Sequence, residues 1–332
     1  MVGHILITGG AGFIGSWLAR SMLARGLDVR ILDDLSTGSV ENIPQSRKLS
    51  FIQGSVRDPQ SVRKAAEGAE LVIHLAGLTG MRLAHALKKE SFQIAADGTA
   101  CLLAESPASA RLVLFSSSAV YGLTAGEAIS ETLEITDASV CSYDGGEVGY
   151  AAGKWKLEQL ALQAAESGRQ VLTLRPFNVV GPGQSPRYGM VLPSFVRRAR
   201  AGDPLLVYDL GEQTRSFCDV RNFCETTMDL IDRPKAWALS GSPINIGNPE
   251  QTSIRGLAEM VIHEAGSQSK IINKPYAQVF PGRTDVQHRI PNVARLHSLV
   301  GRPTWMGIRE IVRETLNCEG HPETKWSQHP IS

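Results

Sequence analysis

The sequence has no surplus of either charge: Lys plus Arg number 34 against 33 Asp plus Glu over 332 residues. No global field therefore gathers nucleic acid or anionic lipid, and any anion must be held by a local site. A CxxC pair is also missing. The five cysteines, Cys101, Cys141, Cys218, Cys224 and Cys318, are odd in number; they indicate neither a disulfide framework nor a zinc site, and a reducing cytoplasm suits them. No apolar run approaches the ~18 residues of a membrane span. Because His4 to Thr8 already reads as a strand, neither a leader nor a membrane anchor is expected. Internal repeats and low-complexity tracts are absent too. What remains, 42% hydrophobic and 20% charged, is ordinary globular composition. At roughly 150 residues per domain, the length allows one large or two modest domains.

Apolar runs bounded by Gly, Asp or Ser recur at 4–8 (HILIT), 29–35 (VRILDDL), 70–77 (ELVIHLAG), 111–118 (RLVLFSSS) and 171–179 (VLTLRPFNV). Between them, Ser16 to Arg25, Ser61 to Glu67, Thr99 to Ala104 and Lys154 to Ala165 have helical periodicity. This alternation predicts an α/β fold with a Rossmann-type doubly wound parallel sheet in residues 1–180. After Val180, GPGQSP and PGRTD punctuate shorter apolar pieces, which predicts a smaller C-terminal substrate-binding domain from 181–216 and 250–332. Phe217 to Ile231 reads as loop and helix and Pro243 to Gly247 as a short strand, so 217–249 is expected to rejoin the first domain.

The first strand runs into Gly9, Gly12 and Gly15 just as a helical pattern begins. Glycines so placed permit a tight turn and let backbone N–H groups approach a pyrophosphate at the positive end of the helix. A glycine triplet alone can mark a plain strand-to-helix turn, but the next strand reaches Asp33, where an acid can accept from adenine-ribose hydroxyls. Asp33 also repels a 2′-phosphate, and Asp34-Leu35-Ser36-Thr37 offers no arginine to receive one, so NAD is favoured over NADP.

Tyr150 and Lys154 are four apart, on one face of a helix if a helix starts there. An ammonium can then act on the phenol, which needs to come down about three units, or roughly 4 kcal/mol, to serve as a base near pH 7. Alone, this spacing also describes a surface helix pair. Ser116-Ser117-Ser118 closes the fourth predicted strand at the sheet's carboxyl edge, where doubly wound folds bind ligands, and a serine there can bond a reacting hydroxyl. Tyr143 is a competing base, but Glu147 stands where its lysine would be.

In combination and in order, TGGAGFIGS (8–16), LDDLSTG (32–38), VIHLAG (72–77), SSSAVYG (116–122), YAAGK (150–154), RPFNVVGPG (175–183), GEQTRSFCDV (211–220) and GRTDV (282–286) resemble the extended short-chain dehydrogenase/reductases, specifically their NAD-dependent nucleotide-sugar epimerases and dehydratases. The resemblance covers nearly the whole chain. It implies a catalytic hydroxyl at Ser117, a base at Tyr150 and its activator at Lys154. For NAD it implies Gly9, Gly12, Phe13, Ile14, Gly15, Asp33, Asp34, Ser36, Thr37, Gly38, Ser55, Val56, Leu75, Ala76 and Gly77, with Tyr150 and Lys154. For a nucleotide sugar, expected in the UDP form, it implies Ser117, Ser118, Asn178 and Val191, with Arg215 and Arg283 gripping the diphosphate through guanidinium forks. A cytoplasmic homodimer is the usual assembly.

The chain departs from the family pattern at Gly153 in place of a serine, at Ala95 in place of an asparagine, and at Gly54-Ser55 in place of Gly-Asp. Residues 123–149 are longer than usual and read as a variable active-site loop. The resemblance implies removal of the C4 hydroxyl proton by Tyr150 and a 4-keto sugar. Related dehydratases carry Asp-Glu, and decarboxylases Glu, just before VYG, where this chain has Ser118 and Ala119. C4 epimerisation of a UDP-sugar, of the UDP-glucose/galactose or UDP-glucuronate type, is therefore the expected outcome; a dehydratase or decarboxylase sharing the same first oxidation is the alternative, and Glu127, Glu131 or Glu147 could bring in the acid that elimination needs. Gly80-Met81-Arg82 resembles a segment of epimerases acting on UDP-glucuronate, with Arg82 or Arg187 as a partner for the carboxylate, although Arg82 can equally face solvent. A non-catalytic NAD-binding regulator is the other class of function, and the intact Ser117, Tyr150 and Lys154 argue against it.

Overall fold

A computed structural model describes residues 3–124 and 126–318. The chain opens with β1 (His4–Thr8), α1 (Phe13–Ala24), β2 (Val29–Asp33), β3 (Leu49–Gln53), α2 (Pro59–Ala66) and β4 (Ala69–His74). It continues through α3 (Met81–Ala86), α4 (Lys88–Glu105), β5 (Arg111–Phe115), β6 (Gly126–Ile129), α5 (Asp137–Tyr143), α6 (Tyr150–Glu166) and β7 (Val171–Pro176). After β8 (Val179–Val180) come α7 (Val191–Ala201), β9 (Leu205–Tyr208), β10 (Thr214–Ser216), β11 (Cys218–Asp219), α8 (Val220–Ile231), α9 (Pro234–Trp237) and β12 (Pro243–Ile246). The last elements are β13 (Gln251–Ser253), α10 (Ile254–Glu264), β14 (Ile271–Lys274), α11 (Tyr276–Val279), β15 (His288–Pro291), α12 (Ala294–Val300) and α13 (Ile308–Cys318).

Seven parallel strands form one sheet in the order β12-β7-β5-β4-β1-β2-β3, a Rossmann-like sheet of the kind the alternating pattern predicts. Neighbouring residues of each strand face opposite ways. Leu6, Leu32, Val72 and Leu112 pack under α2, α4 and α6, while Ile7, Ile31, Ile73 and Val113 pack under α1 and α8. Burial on both sides explains why these strands read as unbroken apolar runs. The apolar runs extend beyond the strands: 34–35, 116–118 and 177–179 leave the sheet. Those residues are mostly polar or turn-forming, and they supply walls of the cleft described below.

Two elements escape the pattern. Strand β3 pairs with β2 from Leu49↔Val29 onward, yet its residues are only half-buried at the sheet edge and carry little apolar signal. Helix α4 is far longer than the predicted Thr99 to Ala104: it packs along α6, where Ala95 meets Gly153, and its buried Ser91, Ala95, Ala96, Gly98 and Thr99 are small and leave a weak apolar stripe. Residues 123–149 also differ from the predicted loop. Strand β6 pairs with β15, and Thr136 and Ser139 form a reciprocal capping box that starts α5.

At the edge of the sheet β12 pairs with β7 in parallel. Helices α7, α10 and α13 bury Leu192, Phe195, Val196, Leu257, Val261, Ile311 and Val312 against β9, which pairs with β14. A second sheet has the order β13-β10-β15-β6. Residues 319–332, which the sequence pattern assigns to the substrate-binding domain, lie outside the described residues. Among the described residues no helix is long and apolar enough to cross a membrane.

Candidate active site

One cleft of about 490 Å³ runs along the carboxyl edge of the sheet and beneath the C-terminal elements. At one end the chain leaves β1 at Gly9, whose φ of 72° favours glycine. A Cβ there would stand 2.7 Å from the Ala76 amide nitrogen, and one on Gly15 would run into the Gly9 carbonyl. The turn thus keeps open a backbone cradle at the start of α1, which Gly12 caps and whose first turn holds no acid. Asp33, buried at the end of β2, accepts hydrogen bonds from the Ala11 and Leu35 amides, both at 2.9 Å. Burial pushes its carboxyl upward while those amides oppose the shift. A glycine cradle, a helix N-terminus and a braced acid together fit an NAD pyrophosphate and ribose.

Gly9, Gly12, Phe13, Ile14, Gly15, Asp33, Asp34, Ser36, Thr37, Val56, Leu75, Ala76 and Gly77 all line this cleft. Gly38, Ser55 and Arg187 do not. A Cβ on Gly38 would press Ala11 at 2.9 Å, so Gly38 lets its loop pack against the glycine turn. The Ser55 hydroxyl accepts from the Arg57 amide within its own turn. The Arg187 guanidinium lies 6.0 Å from the Tyr188 ring centroid, and the Tyr188 hydroxyl donates to the Thr37 carbonyl at 3.2 Å.

Midway along the cleft, β5 ends and Ser117 caps a short 3-10 turn, its hydroxyl accepting from the Ala119 amide at 3.1 Å. Helix α6 begins at Tyr150 and carries Lys154 one turn later, so both side chains reach the cleft. Burial pushes the Tyr150 phenol up to about 12, against a hydrogen bond with Ser117 that lowers it. Lys154 is 3% exposed and donates to the Phe115 carbonyl at 2.7 Å. Burial brings its amine down to about 8, with Glu158 opposing. The phenol thus stands above its ordinary value, not below it as expected from the sequence, and burial is the reason.

Beneath this pair lies a network that sequence reasoning did not identify. Ser116 donates to Glu158 at 2.5 Å, Arg175 pairs with Glu158 at 2.6 Å and donates to the Tyr121 hydroxyl at 2.9 Å, and Tyr121 donates to Asn245 at 2.7 Å. It ties β5, α6, β7 and β12 together under the serine turn. His74, from VIHLAG, is wholly buried between Thr8 and Thr99, and burial, then Lys154, brings it down to about 3, so it is a neutral brace.

The departures Gly153 and Ala95 belong to one contact. A Cβ on Gly153 would stand 3.0 Å from the Ala95 Cβ and 2.9 Å from the Phe92 Cα, so the two small residues let α4 and α6 approach closely.

At the other end, Asn178 has a φ of 28° and donates to the Ser216 carbonyl at 2.8 Å. Arg215 pairs with Asp285 at 2.8 Å, and Arg283 lies 3.4 Å from Asp144. Ser118, Asn178, Val191, Arg215 and Arg283 all line the cleft, as does the exposed Arg82 at its rim. Tyr143 lies there without a lysine partner, its ring 5.4 Å from the Arg283 guanidinium and 5.9 Å from that of Arg289. Among the loop acids, Glu131 accepts from the Asn245 amide at 2.9 Å and exposed Glu147 pairs with Lys88 at 2.9 Å; neither lines the cleft. The side chain of Glu127 lies outside the described residues.

Arg289 is the main residue that sequence reasoning missed. It is 4% exposed in β15, lines the cleft, and donates to the carbonyls of Ser118 and Gly122. Burial lowers its guanidinium to about 10. No ion pair with a carboxylate is found for it among the described residues. The one available signal is an arginine inside HRIP, a short run that is otherwise apolar at 290–291.

A dinucleotide cradle joined at one sheet edge to a Ser-Tyr-Lys group defines an NAD-dependent enzyme of the extended short-chain dehydrogenase/reductase class. The model of the NAD dependent epimerase/dehydratase family matches residues 5–247, and the chain belongs to that family. It is 31% identical over 327 residues to the UDP-N-acetyl-alpha-D-glucosaminuronate decarboxylase of Bacillus cytotoxicus, covering 97% of this chain and 94% of that one. To UDP-glucuronic acid decarboxylase 1 of Xenopus tropicalis it is 28% identical, over 95% of this chain and 71% of that one. Among solved structures it resembles the UDP-glucose 4-epimerase of Thermus thermophilus in complex with NAD, with a TM-score of 0.79, 27% identity, and coverage of 95% of this chain and 98% of that one. The protein is a nucleotide-sugar-modifying enzyme, and its cofactor is NAD.

Proposed function

We propose that the protein oxidises C4 of a UDP-linked hexuronic acid with bound NAD and decarboxylates the resulting 4-keto sugar to a UDP-pentose. The observation that carries this reading is Arg289, a buried cation in the cleft wall, bonded to the carbonyl next to Ser117 and making no ion pair among the described residues, with Asp285 the one carboxylate whose charge reaches it. A buried guanidinium calls for an anion, and a C6 carboxylate supplies one. Arg82, exposed at the rim, and Arg187, outside the lining, suit that task less well. The acidic sugars in the names of the decarboxylase relatives support the same choice.

NAD, when bound, takes a hydride from carbon and returns it. Ser117 holds the C4 oxygen and Tyr150 takes its proton, with the Lys154 ammonium favouring the phenolate. The 4-keto acid carries its carboxylate β to the ketone. The C5–C6 bond breaks, carbon dioxide leaves, and the electron pair moves onto O4 as an enolate held by Ser117 and the protonated Tyr150. A proton from solvent then reaches C5, and Tyr150 returns its proton to O4 as C4 is reduced. The sum consumes one proton and no net NAD. Arg215, Arg283 and Asn178 hold the nucleotide diphosphate end, and the enzyme works as a cytoplasmic homodimer.

A second reading, C4 epimerisation, is favoured by Ala119, which stands where decarboxylases of the resembled group carry a glutamate. Elimination is disfavoured because Glu131 and Glu147 are engaged outside the cleft. Incubation with UDP-glucuronate, followed by NMR of the anomeric protons, separates these readings. A UDP-pentose with one carbon dioxide per turnover is expected. Formation of UDP-galacturonate alone would replace decarboxylation by epimerisation, and a stable deoxy product would overturn both.

A further inference from the structure

We infer that Asp144 is a positioning residue for the reaction: one carboxylate holds the start of the catalytic helix and restrains Arg283, joining the phosphate end of the cleft to Tyr150. The inference rests on the nucleotide-sugar reading of the cleft, but the residue falls outside every motif that led to that reading.

Helix α6 has no side-chain cap of its own, since its N-cap is Gly149. Asp144, only 1% exposed at the end of α5, fills that role from a distance, its Oδ2 accepting from the Ala151 amide at 3.1 Å. The bond falls on the residue next to Tyr150. It also explains Gly149, where a Cβ would stand 2.7 Å from that same oxygen. The other oxygen of Asp144 faces the Arg283 guanidinium at 3.4 Å.

The two arginines of the diphosphate end are held differently. Arg215 is fixed by Asp285 at 2.8 Å, and Gln213 steadies that acid at 3.1 Å. Arg283, with 5% of its side chain exposed, has the longer ion pair, donates to the Tyr143 carbonyl at 2.5 Å, and keeps a buried Nε that finds no hydrogen-bond partner. An unpartnered donor in the cleft wall marks Arg283 as the group that a diphosphate can draw away from its acid. Lys88 on α4 and His85 on α3 also face Asp144, while Ser117, Tyr143 and Asp144 face Tyr150. Burial chiefly holds the phenol up, and the Asp144 charge adds to that.

The test is Asp144→Asn in the NAD-loaded enzyme, because asparagine can still accept from the Ala151 amide but lacks the charge. UDP alone is the binding probe, measured by calorimetry, and the pH profile of kcat is the second readout. UDP is expected to bind several-fold more tightly once Arg283 has lost its competing acid. The rising limb of kcat is expected to move to lower pH by about half a unit. Unchanged UDP affinity with an unmoved limb overturns this inference alone. Failure of UDP to bind the unmutated enzyme overturns the nucleotide-sugar reading and this inference with it. If the asparagine variant does not fold, Gly149→Ala displaces the carboxylate without removing its charge. A lower kcat together with a changed UDP affinity supports the inference, and a change in neither, or in kcat alone, overturns it.

Discussion

Arg289→Met removes the cation proposed to select an acidic sugar while keeping an unbranched side chain in the cleft wall. Arg289 is 4% exposed, so solvent cannot screen its contact with a carboxylate, and truncating one partner of such a buried charge pair costs about 2–5 kcal/mol. At about 1.4 kcal/mol per factor of ten, kcat/KM for UDP-glucuronate should fall between roughly 30-fold and several thousand-fold. The same guanidinium also holds the carbonyls of Ser118 and Gly122, so the serine turn loosens and every substrate suffers somewhat. The decisive quantity is therefore a ratio. Turnover of UDP-glucuronate and of neutral UDP-glucose is measured side by side in the wild-type and variant enzymes, with NAD retention as the check on folding. The ratio of their kcat/KM values should fall at least about tenfold. Equal losses on both sugars would refute the assignment of Arg289 to a carboxylate.

Tyr150→Phe should lower kcat by about 10²–10⁴-fold while NAD remains bound, read by steady-state kinetics and cofactor content after gel filtration. Lys154 makes a prediction about stability. Its amine is near 8 in the fold and 10.5 is its ordinary value, so between these pH values the unfolded chain binds the proton that the folded chain releases. Its contribution to stability should then rise with pH across that window, by up to about 3 kcal/mol in the cofactor-free protein. Denaturant unfolding of wild type and Lys154→Met at both ends of the window reads the difference, and parallel pH dependences would contradict it. Gly153→Ser, which restores the residue usual in the resembled family, should destabilise the fold by about 1–3 kcal/mol, because α4 leaves no room for its Cβ. A simultaneous unchanged urea midpoint and unchanged activity would show that the helix contact yields without strain.

The sheet and the cofactor cradle were legible because their signals are local and repeated. Strands buried on both faces read as apolar runs, and Gly9, Gly12, Gly15 and Asp33 fall at turns the chain must make in sequence. Ser117, Tyr150 and Lys154 were legible through motifs, and the fold brings them together. Helix α4 was not, because its buried face is made of small residues such as Ala95, which meets Gly153 of α6, and not of large apolar ones. Nor were Arg289 and Asp144. Each acts through a contact between segments far apart in the chain, 171 residues for Arg289 to Ser118 and 139 for Arg283 to Asp144, which no periodicity encodes. The ordered β6 and α5 were hidden as well, and β6 pairs with β15, a partner lying beyond any local window.

The central claim is that Tyr150 and Ser117 serve an oxidation at C4 whose hydride returns to the same carbon. UDP-glucuronate carrying deuterium at C4 tests it most directly, in enzyme with its own NAD and none added. The account predicts that the sugar product, whether pentose or C4 epimer, retains deuterium at C4. Loss of the label to solvent, or product formed with label at another carbon, would contradict it.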